Sequence, residues 1–156
     1  ATTHEEPTVS DHRTRNDESR RRLTAIAERI AAGDPTLRTV GDWPPATALA
    51  HLAVWDRFVA ARWAHPRAHG LSIPAAFPPN LWEMLNDAAA HAWGALPPAE
   101  VARLAVEAAE ACDAAVADAT PDQLAELEAA GMSRLAERSH HRAKHFAPMD
   151  GIEASH

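Results

Sequence analysis

Two histidines near the C-terminal end of the chain have the type and spacing needed for metal chemistry. His141 and His145 lie in the stretch Ser139–Phe146 (SHHRAKHF), between the helix breakers Gly131 and Pro148, and the pattern is typical of the last turns of a helix. Side chains four residues apart stack on one face of a helix, and two imidazoles placed in this way can bind one metal ion.

A third imidazole could come from His51, which falls in the middle of another apolar helical stretch. Three histidines on two helices would leave positions open for water and substrate, as in a catalytic metal site. The alternative for each is a surface histidine or a core histidine satisfied by hydrogen bonds. His65 and His69 share the same spacing, but Pro66 and Gly70 favour a loop, so that pair is interpreted as incidental.

The elements that must position these residues are helices. Hydrophobic residues make up 46% of the chain, mostly alanine and leucine, and tyrosine is absent, which indicates an all-α fold. Apolar periodicity predicts four long helices, which indicate a four-helix bundle, and a short extra helix in the connection between the second and third. The predicted long helices are 17–32, 46–63, 99–119 and 121–146, the last open to division at Gly131, and the short one is 80–93.

A single domain is predicted for residues 17–150, with a flexible N-terminal tail over 1–16 and a C-terminal tail over 151–156. Residues 64–79 hold four prolines and a glycine, and this long connection is predicted to be a pocket wall or a crossover.

Charge and composition exclude several classes of function. The net charge of −7 gives nucleic acid no electrostatic footprint, and no apolar run has the length of a membrane span. We expect a cytoplasmic protein, because the start of the chain lacks the apolar core of a secretion signal. Cys112 is the single cysteine and is predicted to be a small buried hydrophobe and not a nucleophile.

Two stretches resemble signatures of the DinB/YfiT-like superfamily. The run from Trp43 to Asp56 (WPPATALAHLAVWD) is similar to the second-helix signature, in which a tryptophan precedes a helix with a His-Leu-Ala step and an acidic residue follows. The stretch from Ser139 to Met149 is similar to the last-helix signature, a His-x-x-x-His step followed by a hydrophobic residue. The resemblance covers about residues 17–150.

The resemblance implies a four-helix bundle, often a homodimer, that holds one divalent ion on His51, His141 and His145. Members of the superfamily use zinc, nickel or iron, and neutral imidazoles suit all three. Arg142 stands where the family often has tyrosine, and it is interpreted as a surface variation at the rim of the pocket.

The resemblance also implies a choice among several activities. The superfamily includes thiol S-transferases that use bacillithiol, mycothiol or glutathione, a thiol-dependent isomerase and resistance hydrolases. The leading hypothesis is a metal-dependent transferase, isomerase or hydrolase for a small electrophile. The Ala- and Arg-rich composition indicates an actinobacterial source and so favours mycothiol as the cosubstrate. Two alternatives are a non-catalytic bundle that sequesters a toxic small molecule and a helical interaction module with incidental histidines.

Further residues are candidates for the pocket. Trp55 follows His51 by one helical turn, and Trp82 and Asn86 lie one turn apart on the short helix, so all three could wall or cap the site. Core packing or helix capping is the alternative for each. Glu137 precedes His141 by one turn and could orient its imidazole from behind, or it could be an exposed surface residue. No general base stands out.

Overall fold

The computed structural model describes residues 11–69 and 79–151, and the regular secondary structure of this part is helical apart from one isolated β-bridge. Residues 1–10, 70–78 and 152–156, which include most of both predicted tails, lie outside it. The all-α prediction is confirmed for the described part. Its helices are α1 (His12–Ala31), α2 (Pro45–His69), α3 (Pro79–Gly94), α4 (Pro98–Val116), α5 (Pro121–Ala129) and α6 (Ser139–Met149), with a 3-10 turn at Ser133–Leu135.

Helix α1 begins earlier than the predicted start at Asp17. Asp11 caps it, and its carboxylate accepts the backbone N–H of Thr14 at 3.0 Å. Asn16 belongs to the predicted tail but is buried, and its amide oxygen accepts the backbone N–H of Arg138 at 2.7 Å. The first turns of α1 therefore fix the chain just before α6 begins.

Helix α2 extends past its predicted end at Trp63 and reaches His69, so the predicted loop is wrong over residues 64–69. Pro66 lies inside this helix, although proline removes one backbone hydrogen bond there. The backbone of the His65 and His69 pair is helical, while their side chains lie outside the described part. No helix of the described part combines the length and the apolar character needed to cross a membrane.

The last predicted helix is divided in two. It ends at Ala129, and Gly131 then adopts a φ of +68°, a left-handed conformation that glycine reaches without a steric penalty. A 3-10 turn follows, and the chain becomes helical again at Ser139. The division at Gly131, left open by the sequence, is confirmed.

Helix packing brings α6 beside α2. Helix α4 packs on α1 and α2, α3 packs on α2, and α6 packs on both α1 and α2. Phe146 and Met149 of α6 are fully buried in the core formed with α1, α2 and α4. Burial of one such side chain contributes about 1.5–3 kcal/mol, so these two residues hold the histidine face of α6 in place.

Candidate metal centre

The three predicted ligands meet in space. His51 lies on α2, and His141 and His145 lie one turn apart on α6. Each offers one ring nitrogen, and these three atoms all lie within 4.8 Å of one another. The Nε2 atoms of His51 and His141 are 3.1 Å apart. Two nitrogens bound to one tetrahedral ion at about 2.0–2.1 Å would be about 3.3 Å apart, so this pair lies close to ligand geometry.

The side chain of His145 supports the same interpretation. It is 8% exposed, and its Nδ1 atom is buried without a hydrogen-bond partner among the described residues. A buried ring nitrogen without a partner costs free energy, and a bound ion is one way to satisfy the imidazole. Imidazole ligands suit divalent zinc, nickel and iron, so the residues present fit a transition metal without selecting one.

Burial keeps the three imidazoles neutral. It lowers the pKa of His51 to about 3, with a further contribution from His145, and it lowers the pKa of His145 to about 4. The pKa of His141 is lowered further, by burial first and by the Arg138 charge second. Neutral imidazole is the form that binds metal, so near neutral pH no proton has to leave a charged ring before an ion can bind.

Trp55 and Asn86 hold the far side of the His51 ring. The indole Nε1 of Trp55 lies 3.1 Å from His51 Nδ1 and 3.0 Å from the amide oxygen of Asn86. A hydrogen bond with Asn86 partly opposes the effect of burial on the pKa of His51. An oxygen acceptor behind a metal-binding histidine fixes its ring orientation. Asn86, predicted as a pocket residue, therefore also positions His51.

Arg138 contacts the same ring nitrogen, Nδ1, of His141. Its Nη2 atom lies 2.8 Å from His141 Nδ1, and its Nε donates to the carboxylate of Asp56 at 2.8 Å. Guanidinium groups hold only donors, so His141 Nδ1 accepts, and the Nε2 atom of the neutral ring carries the proton. That proton faces His51 Nε2. The sequence offered no signal for this contact beyond the three-residue spacing of Arg138 and His141.

Arg142 was predicted at the surface, and this prediction is wrong. The side chain is completely buried and donates to Asp56 at 2.9 Å and to Asp113 at 2.8 Å. Burial opposes its charge, but the two carboxylates more than compensate and raise its pKa. The signal was present in α2, where Asp56 lies on the apolar stripe between Leu52 and Val59. A carboxylate on a buried stripe requires a cationic partner.

Glu137 lies elsewhere than expected. Its carboxylate accepts from Arg15 at 2.6 Å and from Ser139 at 2.8 Å, and it does not contact His141. The expectation required an unbroken helix through both residues. Because α6 begins only at Ser139, Glu137 is not on the helical face of the histidines.

Aromatic side chains surround the histidines. The rings of Trp43 and Trp93 lie 5.0 and 5.4 Å from the ring of His51, centroid to centroid. Trp55 and Trp82 are 4.6 Å apart by the same measure. The roles of Trp43 and Trp93 at the site were missed. Trp43 was noted only as part of the second-helix signature.

A cavity of about 510 Å³ opens beside the three histidines, and the predicted pocket residues Trp55, Trp82 and Asn86 all line it. Its size is that of a small-molecule site. The chain matches no family model, no curated protein and no solved structure.

Proposed function

We propose that the protein is a metal-dependent enzyme in which His51, His141 and His145 hold one divalent transition-metal ion and the adjoining cavity takes a small electrophilic substrate. One observation carries the proposal. Three neutral, largely buried imidazoles place a donor atom each within 4.8 Å of the others, next to a cavity of about 510 Å³. Three protein ligands are the number that leaves a catalytic ion open to a further ligand.

When bound, such an ion supplies a Lewis acid that lowers the pKa of a thiol or of water. The protein supplies the surroundings. Asn86 and Trp55 orient His51, and Arg138 is held by Asp56 against His141. The aromatic side chains exclude water from this side of the cavity, which strengthens electrostatic interactions there. We favour transfer of a low-molecular-weight thiol such as mycothiol, with isomerisation and hydrolysis as related reactions.

The resemblance to the DinB/YfiT-like superfamily supports the proposal from the sequence side. On that reading α1, α2, α4 and the divided α5–α6 segment are the four helices of the bundle, and α3 is the extra helix. A homodimer is part of the same proposal. Arg142, which stands where the family often has tyrosine, is buried in this chain.

Elemental analysis of untagged protein by mass spectrometry tests the metal site. We expect about one transition-metal ion per chain in the native protein and almost none in the double variant His51→Ala/His145→Ala. His140→Ala is the matched control, because His140 is on the same helix with its side chain 82% exposed. A native protein that stays empty after incubation with zinc, nickel and iron(II) would overturn the proposal. Loaded protein can then be assayed with thiols and electrophilic dyes.

One observation favours a second candidate, a binder that sequesters a small molecule. Along the described cavity wall Glu83 is the one carboxylate, and it is exposed, so this wall offers no buried acid or base. A binder would take up one ligand per chain and release it unchanged. Calorimetry together with product analysis on the same samples separates this behaviour from turnover.

A further inference from the structure

The cavity beside the histidines has a charge opposite to that of the whole chain. The chain carries a net charge of −7. The described cavity wall, in contrast, combines one carboxylate, Glu83, with four cationic side chains: Arg62, Arg134, Arg138 and Lys144. A cleft lined by one sign of charge concentrates ligands of the opposite sign.

Two of these cations are available to a ligand. Arg62 is buried, and its guanidinium carbon lies 5.5 Å from the centre of the Phe58 ring. Arg138 is committed to the buried carboxylate of Asp56. Arg134 and Lys144 are exposed, and neither forms an ion pair with another described residue. Both are close enough to the histidines for their charges to act there, Arg134 on His141 and Lys144 on His145. The two free charges therefore flank the candidate metal ligands.

Another part of the cavity wall is aromatic. Trp55 and Trp82 are in ring contact, and Phe58 lies 5.3 Å from Trp55 and 6.1 Å from Trp82 between ring centroids. These three rings line the same cavity as the two free cations. Aromatic walls favour planar, apolar ligands, and a few placed polar groups fix their orientation.

We infer that the cavity binds a small organic anion, a carboxylate on a flat apolar body, with the carboxylate on Arg134 and Lys144 and the body against Trp55, Trp82 and Phe58. This inference names a ligand class for the proposed function. It rests on that proposal only where the anion is taken to be the substrate. Binding itself requires the cations and the aromatic rings, and it is measurable without any ion.

Calorimetric titration tests the inference with three carboxylates, namely benzoate, cinnamate and 2-naphthoate, each paired with its neutral amide. We expect at least one acid to bind metal-free protein about tenfold more tightly than its amide, with affinity that falls as salt rises. The double variant Arg134→Met/Lys144→Met should lose that tenfold preference. Arg103→Met is the control, because Arg103 is equally exposed but pairs with Glu100 and Glu107 on α4, away from the cavity.

The outcomes separate this inference from the proposed function. Equal binding of acids and amides, no binding of any acid, or an unchanged preference in the double variant would overturn the inference, even in protein that loads metal. A charge-dependent preference in protein that never loads metal would uphold the inference and overturn the metal-dependent function. Inorganic phosphate is included as a competitor, and displacement of the acids by phosphate at equal concentration would overturn the assignment to a carboxylate.

Discussion

Arg138 joins a buried carboxylate to a candidate metal ligand. Its Nε donates to Asp56 at 2.8 Å, and its Nη2 lies 2.8 Å from Nδ1 of His141. Since the guanidinium can only donate, His141 directs its ring proton from Nε2 towards His51, 3.1 Å away. An ion that binds His141 at Nε2 must therefore displace the proton that Arg138 keeps on this atom.

Replacement of Arg138 should change metal affinity in a defined direction. Arg138→Gln removes the donor that faces His141 Nδ1, and its shorter side chain leaves room for water to accept a proton there. His141 can then carry its proton on Nδ1 and offer Nε2 to an ion. We expect about tenfold tighter zinc binding in competition with a chromogenic chelator.

Arg134→Gln is the control for that experiment, because it removes a nearby cavity charge without touching His141 Nδ1. The same gain in both variants would assign the effect to charge alone. Weaker zinc binding by Arg138→Gln would contradict the prediction and would mean that Arg138 supports the bound form of the ring.

Asp56 should be one of the most sensitive positions for stability. Its carboxylate is fully buried and pairs with both Arg138 and Arg142, and Arg142 also pairs with Asp113. Asp56→Asn leaves these cations without their shared partner, and we expect a loss of about 3–5 kcal/mol in the free energy of unfolding. Urea denaturation followed by circular dichroism measures it. Glu107→Gln, at an exposed pair with Arg103, should cost at most about 1 kcal/mol. Similar losses of unfolding free energy in the two variants would contradict the burial of the ion pairs that Asp56 forms.

Acid should destabilise the metal-free protein from about pH 6.5 downwards. Burial lowers the pKa of His51 to about 3 and that of His145 to about 4, whereas in the unfolded chain both lie near 6.5. Between these values the unfolded state binds more protons than the folded state. The free energy of unfolding therefore decreases as the pH is lowered, by up to about 1.4 kcal/mol per pH unit for each histidine. Denaturation at pH 7.5, 6.5, 5.5 and 5.0 measures the slope.

His145→Gln should flatten this pH dependence, since glutamine takes up no proton in either state. His140→Gln, which changes an exposed ring on the same helix, should leave the slope unchanged. Equal slopes in the native protein and in His145→Gln would refute the expected burial of the histidine charge.

Cys112 should be inert in the folded protein. Its thiol is completely inaccessible, and burial, together with the Asp56 charge, raises its pKa far above the usual range. Reaction needs an exposed thiolate, so we expect labelling by a disulfide reagent at pH 8 to be at least about a hundredfold slower than in urea. Labelling at the rate of the unfolded chain would contradict this.

Local rules were sufficient for most of the helices. Thr120, Pro121 and Gln123 form the start of α5 that their sequence predicts, with a complete capping box. The spacing of His141 and His145 predicted a shared face because helix geometry alone determines it. His51 was predicted as the third ligand from the family resemblance and from its position on an apolar helix.

Tertiary contacts determined what local rules could not. Arg142 was predicted at the surface because its local sequence contains no buried carboxylate. Its partners, Asp56 and Asp113, lie on helices that are distant in sequence. Glu137 was predicted to contact His141, but the helix is interrupted after Gly131, and Glu137 pairs with Arg15 instead. In each case the residue pairs with a partner that is distant in sequence, and local sequence patterns do not reveal it.

Four of the five tryptophans cluster around the candidate site. Trp43 and Trp93 contact His51, Trp55 shares its N–H with His51, and Trp82 contacts Trp55. The fifth, Trp63, donates to the carbonyl of Leu135 elsewhere. The protein thus contains its own optical reporter. Nickel or iron at the histidines would quench the indole emission through their partly filled d shells, whereas zinc, with a filled shell, would leave most of it intact.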